Sequence, residues 1–319
     1  MSAVSTTYVP STKGDEEVIN KTVGIIGVGN MGGAIAENLL RRGWRVGVLD
    51  IDCEKTKALS LHGAEILEHP SELANFCSTI IIAVVTAQQV AQVLESLNSK
   101  GECLLSNLSA GHSVMLCPTI SPDDVMGFAK TIEHQGAGVI DSPMSGGPAR
   151  AKEGRMSLMV ACSMRLLTLH QVLLNDIADP VFFISERVGD GAKTKLINNL
   201  LAGINLVASA ELLSMAEKVG LDLQKTLKVI ESSSGQSWVC SDRMGRAVAG
   251  DPLQLVPLAH MTLLEKDTRM ALEMGLRAGY QGPLGASAVK AFKDASASGL
   301  AGCDDAAMLS FLRNFTPQV

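Results

Sequence analysis

Residues 27–43 read GVGNMGGAIAENLLRRG, and they directly follow the apolar run TVGII at 22–26. The apolar run predicts a short buried strand, and the segment from Asn30 onward predicts a helix, because its isoleucine and leucines fall on one face. A Gly-x-Gly-x-x-Gly motif alone is a weak signal in a chain with 30 glycines. Its position between a strand and a helix, however, is the one that a dinucleotide-binding motif requires.

Each part of this motif has a physical role in holding a dinucleotide. Gly27 is predicted to form the tight turn, and Gly29 is predicted to let the backbone approach a pyrophosphate. Gly32 is predicted to allow close packing of the helix on the strand. The N–H groups at the start of the helix, around Asn30 and Met31, would hold the phosphates. We therefore predict a cofactor site at these five residues.

A second predicted strand, WRVGVLD at 44–50, ends at Asp50, 23 residues after Gly27. A carboxylate at this distance typically binds the hydroxyls of the adenosine ribose. Such a carboxylate repels a 2′-phosphate and no Arg follows it at once, so the sequence favours NAD over NADP. The alternative is a Gly-rich turn in another α/β fold, with Asp50 as an ordinary acidic residue at a strand end.

Strands and helices alternate from Thr22 to about residue 185, which predicts βαβ units and a parallel sheet. The predicted strands are TVGIIG, WRVGVLD, AEILEH, STIIIAVV, CLLSNLS, GVIDSPM, SLMVAC and VFFIS. The second half differs, because the Pro-free stretch at 192–220 predicts a helix of about 28 residues with further helices after it. The predicted fold class is α/β, with an N-terminal Rossmann-type, doubly wound parallel sheet and an all-helical C-terminal domain.

A chain of 319 residues is long for one core, so two domains are expected. We predict a flexible leader at 1–20, an NAD-binding domain at 21–185 and a helical substrate and dimerisation domain at 186–319. The first twenty residues are polar and contain no Arg, which is typical of neither a signal peptide nor a transit peptide. We therefore expect a cytoplasmic protein.

The composition argues against nucleic acids, membranes and metal ions as binding partners. The net charge is −6 and the basic residues are scattered, so no nucleic-acid partner is expected. No stretch reaches about 18 uncharged apolar residues, so no membrane span is expected. The seven cysteines are widely spaced, which is typical of small buried residues in a reducing compartment. The six histidines form no metal-binding pattern, so no metal is expected.

Four separated blocks occur in an order that resembles the β-hydroxyacid dehydrogenase family. They are GVGNMGGAIAENLLRRG, DSPMSGGPARAKEGRMSLMV, GDGAKTKLINNLL and EKDTRMALEMG, and the resemblance covers nearly everything from residue 22 to about 313. The resemblance implies a dehydrogenase that moves a hydride between a small hydroxy acid and a nicotinamide cofactor.

The resemblance implies that Lys195, in the third block, is the catalytic acid/base, with Asn198 and Asn199 following it at the substrate. Oxidation of an alcohol releases a hydride and a proton. A Lys accepts the proton only if burial and nearby positive charge lower its pKa from about 10.4. Asn199 lies one helical turn beyond Lys195 and is expected to position the same substrate oxygen. The alternative for Lys195 is a solvated lysine like Lys193.

Ser145, Gly146 and Gly147 correspond to the Ser-Gly-Gly that binds the substrate carboxylate in the family. Two glycines expose backbone N–H groups and the hydroxyl adds a third donor, although the same residues could form a plain turn after a strand. The resemblance also implies that Lys266 lies by the nicotinamide and the substrate. The alternative is a surface charge pair between Lys266 and Asp267.

Two further cofactor contacts follow from the resemblance. Val84 and Val85 stand where the family has a Leu-Pro pair that lines the cofactor. Ser109 matches a family serine, but Ala110 replaces the threonine that follows it. One hydroxyl near the nicotinamide is therefore missing.

Trp238 and Arg243, in SSSGQSWVCSDRM, are candidates for closing the substrate pocket. Their segment and residues 84–94 resemble the L-threonate dehydrogenase branch, whereas the Asn-Asn pair does not, so the exact substrate stays open. The favoured function is NAD-dependent conversion of a small 3-hydroxy acid, of aldonate or 3-hydroxyisobutyrate type. The alternatives are an imine reductase of the same architecture and a non-catalytic dinucleotide-binding scaffold. As in the family, the helical half is expected to form a homodimer or homotetramer.

Overall fold

The computed structural model of the protein describes residues 21–314. The predicted leader at 1–20 lies outside the described residues. The chain divides into two compact units, the first ending at Lys195 and the second beginning at Leu196. The predicted fold class is confirmed, since the first unit is built on a sheet dominated by parallel strands and the second is helical.

From residue 21 onward, where the structure describes it, the first unit contains nine strands in one sheet. They are β1 Thr22–Ile26, β2 Arg45–Leu49, β3 Glu65–Ile66, β4 Thr79–Ile82, β5 Ser113–Leu116, β6 Gly138–Asp141, β7 Met144–Ser145, β8 Met156–Ala161 and β9 Ala178–Ser185. The order is β3-β2-β1-β4-β5-β6-β8-β7, with β9 paired to β8. The strands from β3 to β6 are all parallel. In contrast, β8 is antiparallel to β6 and β7 and parallel to β9.

Helices cover the sheet of the first unit. They are α1 Asn30–Arg41, α2 Cys53–Ser60, α3 Leu73–Phe76, α4 Ala87–Glu95, α5 Leu104–Asn107, α6 Pro122–His134, α7 Gly147–Lys152, α8 Met164–Leu169 and α9 Gln171–Ile177. Successive residues of β1 join different apolar clusters, with Ile25 in one and Ile26 in the other. Because both faces of the sheet are covered, its central strands are apolar throughout rather than alternating.

The strand predicted at CLLSNLS is wrong. Leu104–Asn107 forms the short helix α5, and the fifth strand is Ser113–Leu116. The hydroxyl of Ser106 donates to the carbonyl of Cys103 at 3.0 Å and accepts the N–H of Cys103 at 3.1 Å, which stabilises a helical turn. The later run SVML is the one that pairs with both β4 and β6.

The second unit is built from helices. They are α10 Asp190–Lys218, which begins in the first unit, α11 Leu223–Glu231, α12 Gly245–Ala249, α13 Met261–Arg277, α14 Pro283–Ala295 and α15 Met308–Arg313. The 29 residues of α10 match the predicted length of about 28. A Cβ at Gly203 of α10 would overlap Thr268 on α13, so glycine is what lets these two helices approach closely.

By length and composition alone, α10 could cross a membrane, because an 18-residue window has a mean hydropathy of 1.5. One third of that window, 33%, is buried inside the chain. A core helix of a globular domain passes the same test, and α10 contributes Leu206, Ala210 and Leu213 to the apolar cluster of the second unit. Most of the window, however, is not buried inside the chain.

Candidate active site

The register of the central strands assembles the glycine motif at one edge of the sheet. Ile26 pairs with Leu49 on one side and with Ile82 on the other. The next residue of each strand therefore lies at the carboxyl edge, which brings Gly27 and Asp50 together. This edge lies where the strand order reverses, at the position where open α/β sheets bind ligands.

The glycine motif forms a cradle with exposed backbone. Gly27 has a φ of 87°, which favours glycine, and a Cβ at Gly32 would overlap the carbonyl oxygen of Gly27. Gly29 is the N-cap of α1 and has no side chain to cap it, so the N–H groups at Asn30 and Met31 begin the helix without a side-chain partner from the cap. A Cβ at Gly29 would meet nothing within 4 Å. These residues fit a dinucleotide pyrophosphate.

Asp50 is held against this cradle. Its Oδ2 accepts the N–H of Val28 at 2.7 Å, and its Oδ1 accepts the N–H of Asp52 at 2.9 Å. Asp52 is the N-cap of α2 and places a second carboxylate beside the first. The fully exposed Ile51 lies between them. Nζ of Lys55 lies 3.3 Å from Oδ2 of Asp52, so this second carboxylate is paired with a lysine of α2.

The three other predicted cofactor contacts of the first unit have different surroundings. Val84 lies beside the turn, since its Cγ1 would be 3.0 Å from a Cβ at Gly27. Val85 is half-exposed and its N–H donates to Oε1 of Gln89 at 2.8 Å. Ser109 lies between α5 and β5, where its hydroxyl is 3.0 Å from Nδ1 of His112. Val84 therefore lies beside the cradle, whereas the hydroxyl of Ser109 forms a hydrogen bond with His112, three residues later in the chain.

The Ser-Gly-Gly segment forms a sharp turn. Ser145 ends β7, and Gly146 and Gly147 have φ values of 123° and 75°. Residues other than glycine are strained at such positive φ values. A Cβ at Gly147 would meet nothing within 4 Å, whereas a Cβ at Gly146 would lie 3.2 Å from Cδ of Arg150. The turn therefore requires glycine for its backbone conformation and has open space beside Gly147.

Lys195 and Lys193 lie on the same helix in different environments. The side chain of Lys193 is 47% exposed and its Nζ lies 2.8 Å from Oδ1 of Asp190. The hydrogen bond from Lys193, with those from Ser185 and Arg187, lowers the pKa of Asp190 to about 2. Lys195, in contrast, is only 6% exposed. Its burial separates it from a solvated helix lysine.

Asn199 belongs to a polar group in the second unit. Its Nδ2 donates to Oδ2 of Asp267 at 2.7 Å, and its Oδ1 accepts from Nδ2 of Asn198 at 3.1 Å. The other oxygen of Asp267 lies 2.8 Å from Nζ of Lys266. Asp267 is buried and Lys266 is mostly so, which does not fit a surface charge pair. The carboxylate of Asp267 thus joins Asn199 and Lys266.

The side chain of Arg243 is already paired within the second unit. Its guanidinium lies 5.5 Å from the ring centroid of Trp238, and its Nε lies 2.8 Å from Oδ1 of Asp305. Arg243 also pairs with Asp242. Asp305 is fully buried, whereas Trp238 is half-exposed. Trp238 and Arg243 therefore lie together, and the guanidinium of Arg243 forms an ion pair with the buried carboxylate of Asp305.

Comparison with known proteins agrees with this arrangement. Residues 22–185 match the family model described as the NAD binding domain of 6-phosphogluconate dehydrogenase. Residues 189–312 match the model described as NAD-binding of NADP-dependent 3-hydroxyisobutyrate dehydrogenase. The chain belongs to the β-hydroxyacid dehydrogenase family.

Two relatives of this β-hydroxyacid dehydrogenase are themselves named as dehydrogenases. It is 31% identical over 291 residues to L-threonate dehydrogenase from Cupriavidus necator, covering 91% of this chain and 96% of that one. A crystal structure of 3-hydroxyisobutyrate dehydrogenase from Salmonella typhimurium matches with a TM-score of 0.83 and 30% identity, covering 91% and 99%. The protein is therefore an NAD(P)-binding oxidoreductase that acts on CH–OH groups, as predicted. An imine reductase from Pseudomonas sp. shares only the fold, at 21% identity and a TM-score of 0.61.

Two buried acids of this dehydrogenase were not predicted as site residues. Asp267 follows Lys266 in the fourth block, and Asp141 begins the second block, four residues before Ser145. An acidic residue at the end of the apolar strand GVID is a usable signal, because a buried carboxylate needs hydrogen-bond donors. In residues 21–314, no group of three His, Cys, Asp or Glu residues could hold a metal ion.

Proposed function

We propose that this dehydrogenase catalyses the NAD-dependent oxidation of a small 3-hydroxy acid to the oxo acid, or the reverse reaction. The substrate is of the aldonate or the 3-hydroxyisobutyrate type. The names of two relatives, L-threonate dehydrogenase and 3-hydroxyisobutyrate dehydrogenase, support these two classes. The domain organisation proposed with it is an NAD-binding domain at 21–185 and a helical substrate domain at 186–319.

Lys195 is proposed as the general acid/base, and its burial is the observation that carries this role. A bound nicotinamide would supply the hydride acceptor. In the oxidation direction, Nζ of Lys195 takes the proton of the substrate hydroxyl as the carbonyl forms, and in reduction it returns that proton. A lysine with 6% exposure keeps this proton transfer away from bulk water, unlike the half-exposed Lys193.

Asn199 is proposed to orient the substrate oxygen. Its Nδ2 carries two hydrogens and one is directed to Asp267, which fixes the plane of the amide and leaves the second hydrogen for a ligand. Asn198 supports that orientation by donating to Oδ1 of Asn199. Lys266, paired with the same carboxylate, is proposed to lie by the nicotinamide and the substrate.

The substrate carboxylate is proposed to bind at Ser145, Gly146 and Gly147. The two glycines at positive φ, with open space beside Gly147, and the adjacent hydroxyl support this role, because backbone N–H groups in such a turn are donors for an anion. Trp238 and Arg243 remain proposed as elements that close the pocket. In that role Arg243 would act through its contact with Trp238, since its charge is shared with Asp305.

NAD is proposed as the cofactor in preference to NADP. The carboxylate of Asp50, which accepts the N–H of Val28 inside the glycine motif, supports this choice. We expect kcat/KM with NAD to exceed that with NADP by at least about tenfold, which corresponds to about 1.4 kcal/mol. Equal use of the two cofactors would contradict the proposal.

We also propose a homodimer or homotetramer formed through the helical half. The support is a set of exposed apolar residues spaced along α10: Ile197, Leu201, Leu212 and Met215. A monomeric mass by light scattering at micromolar concentration would contradict it. A cytoplasmic location is proposed with it, supported by the seven cysteines, all of which are free thiols.

The function is tested by NADH formation with threonate, erythronate, 3-hydroxyisobutyrate and glycerate. Lys195→Ala should lower kcat/KM about 10²–10⁴-fold, as loss of a general acid/base does, while NAD still binds. Lys193→Ala is the matched control, two residues earlier on the same helix, and should keep activity within about twofold. Bound NAD without turnover of any substrate would favour the scaffold or imine reductase alternative. Activity that survives Lys195→Ala would remove Lys195 from the mechanism.

A further inference from the structure

A buried carboxylate lies under the first turn of α10. Asp141 ends β6 and is 1% exposed. Its Oδ2 accepts the N–H of Gly189 at 2.8 Å and the N–H of Ala192 at 3.1 Å. We propose that Asp141 is a positioning residue, which fixes the start of α10 on the sheet and thereby places Lys195. This inference rests on the proposed role of Lys195 as general acid/base.

The hydrogen bonds explain why an acceptor is needed at this point. The first N–H groups of a helix have no partner within the helix, and the helix dipole favours a negative group there. A cap is usually supplied by a residue next to the helix in sequence. Here the acceptor lies 48 residues before Gly189 and belongs to a strand. The cap therefore joins the helix to the sheet.

The packing around the carboxylate leaves little freedom for the helix. A Cβ at Gly191 would lie 2.9 Å from Cγ and Oδ2 of Asp141 and 2.7 Å from the carbonyl oxygen of Met159 on β8. Only glycine lets α10 approach this closely. Gly191 and Lys195 are one turn apart on a continuous helix, so a shift at Gly191 moves Lys195 with it.

The hydrogen bonds from Gly189 and Ala192 both converge on Oδ2 of Asp141. The other oxygen, Oδ1, is buried and has no hydrogen-bond partner among residues 21–314. Burial raises the pKa of Asp141 to about 6, against the lowering effect of the backbone N–H groups of Ala192, Gly189 and Gly191. The group is therefore a carboxylate at pH 8, but the docking itself requires only an acceptor at the position of Oδ2.

Two substitutions of Asp141 distinguish the loss of its hydrogen-bond acceptor from the loss of its negative charge. In Asp141→Asn the amide oxygen can take the place of Oδ2 and accept both N–H groups, while the amide nitrogen takes the place of Oδ1. In Asp141→Ala the acceptor is lost. Ser142→Ala is the matched control, because Ser142 is also fully buried but its hydroxyl contacts the carbonyl oxygen of Ile140 and Sγ of Cys117, neither of which belongs to α10.

The experiment measures kcat and KM at pH 8 together with the NADH dissociation constant by fluorescence. Asp141→Ala should lower kcat about 10–100-fold, the range expected for an ångström-scale misplacement of a catalytic group, with the dissociation constant changed less than twofold. Asp141→Asn should restore kcat to within about fivefold of wild type. Ser142→Ala should stay within twofold. The rescue by asparagine and the selective loss in kcat are not expected from general destabilisation.

Three results would overturn the inference: full kcat in Asp141→Ala, equal losses in the alanine and asparagine variants, or parallel losses in kcat and NADH binding. Should Asp141→Ala fail to fold, Asp141→Asn alone decides, because a loss of kcat beyond about fivefold contradicts the need for an acceptor only. Lys195→Ala is measured alongside. Activity in Lys195→Ala refutes the proposed function, whereas an inactive Lys195→Ala with a fully active Asp141→Ala refutes only the role of Asp141.

Discussion

Replacing Gly29 or Gly32 of the cradle by alanine should have different effects: Gly32→Ala should lower the stability, and Gly29→Ala should weaken cofactor binding. Gly32→Ala places a Cβ into the carbonyl oxygen of Gly27 and 3.3 Å from Cβ of Ala83, so α1 or the turn must retreat by about 1 Å. Overpacking of this kind costs about 1–3 kcal/mol, and at about 2–4 °C per kcal/mol the Tm should fall by about 2–12 °C. Gly29→Ala meets nothing within 4 Å and has a φ of −67°, so the fold should accept it.

Gly29→Ala, which the fold should accept, is expected to weaken cofactor binding. Its added methyl group occupies the space through which a pyrophosphate approaches the backbone, so the NADH dissociation constant should rise at least about tenfold while the Tm stays within about 2 °C. The assay pairs thermal unfolding without cofactor with a fluorescence titration of NADH. Gly127→Ala on α6 is the control, since its Cβ also meets nothing within 4 Å. Unchanged NADH binding in Gly29→Ala would refute this assignment of the cradle.

Asp267→Ala should lower kcat/KM about tenfold with little change in NADH binding, because Asn199 loses its orienting acceptor; equal losses in both would contradict this. Asp190→Asn should lower the free energy of unfolding at pH 7 by about 1 kcal/mol, less than the full linkage because its cationic partners are exposed. A folded-state pKa of about 2 lies below the unfolded value, so the difference should be present above pH 4 and vanish as the pH falls toward 2, measured by urea midpoints. Asp305→Asn should cost about 3 kcal/mol, seen as a lower Tm, because Arg243 loses a buried partner; an unchanged Tm would show that Asp242 suffices.

The sequence predicted the elements of the fold where the pattern was local. The apolar runs of β1 and β4 and the long Pro-free run of α10 were sufficient, because strand and helix differ in period and length. The error at residues 103–109 arose where two leucines were read as a strand. The Ser106 side chain stabilises a turn there, and such a short run carries no period of its own.

For the site, the sequence by itself determined which residue types were present at motif spacing: the glycines at 27, 29 and 32, the acid at 50 and Lys195 one turn before Asn199. These are short-range relations along one strand, turn or helix. Only the tertiary structure decided that Lys195 is buried while Lys193 is not, and that Asp267 holds Asn199. It also decided that a strand residue 48 positions away caps α10. Burial and hydrogen bonding between distant segments depend on how strands and helices pack, and no local pattern in the sequence contains that information.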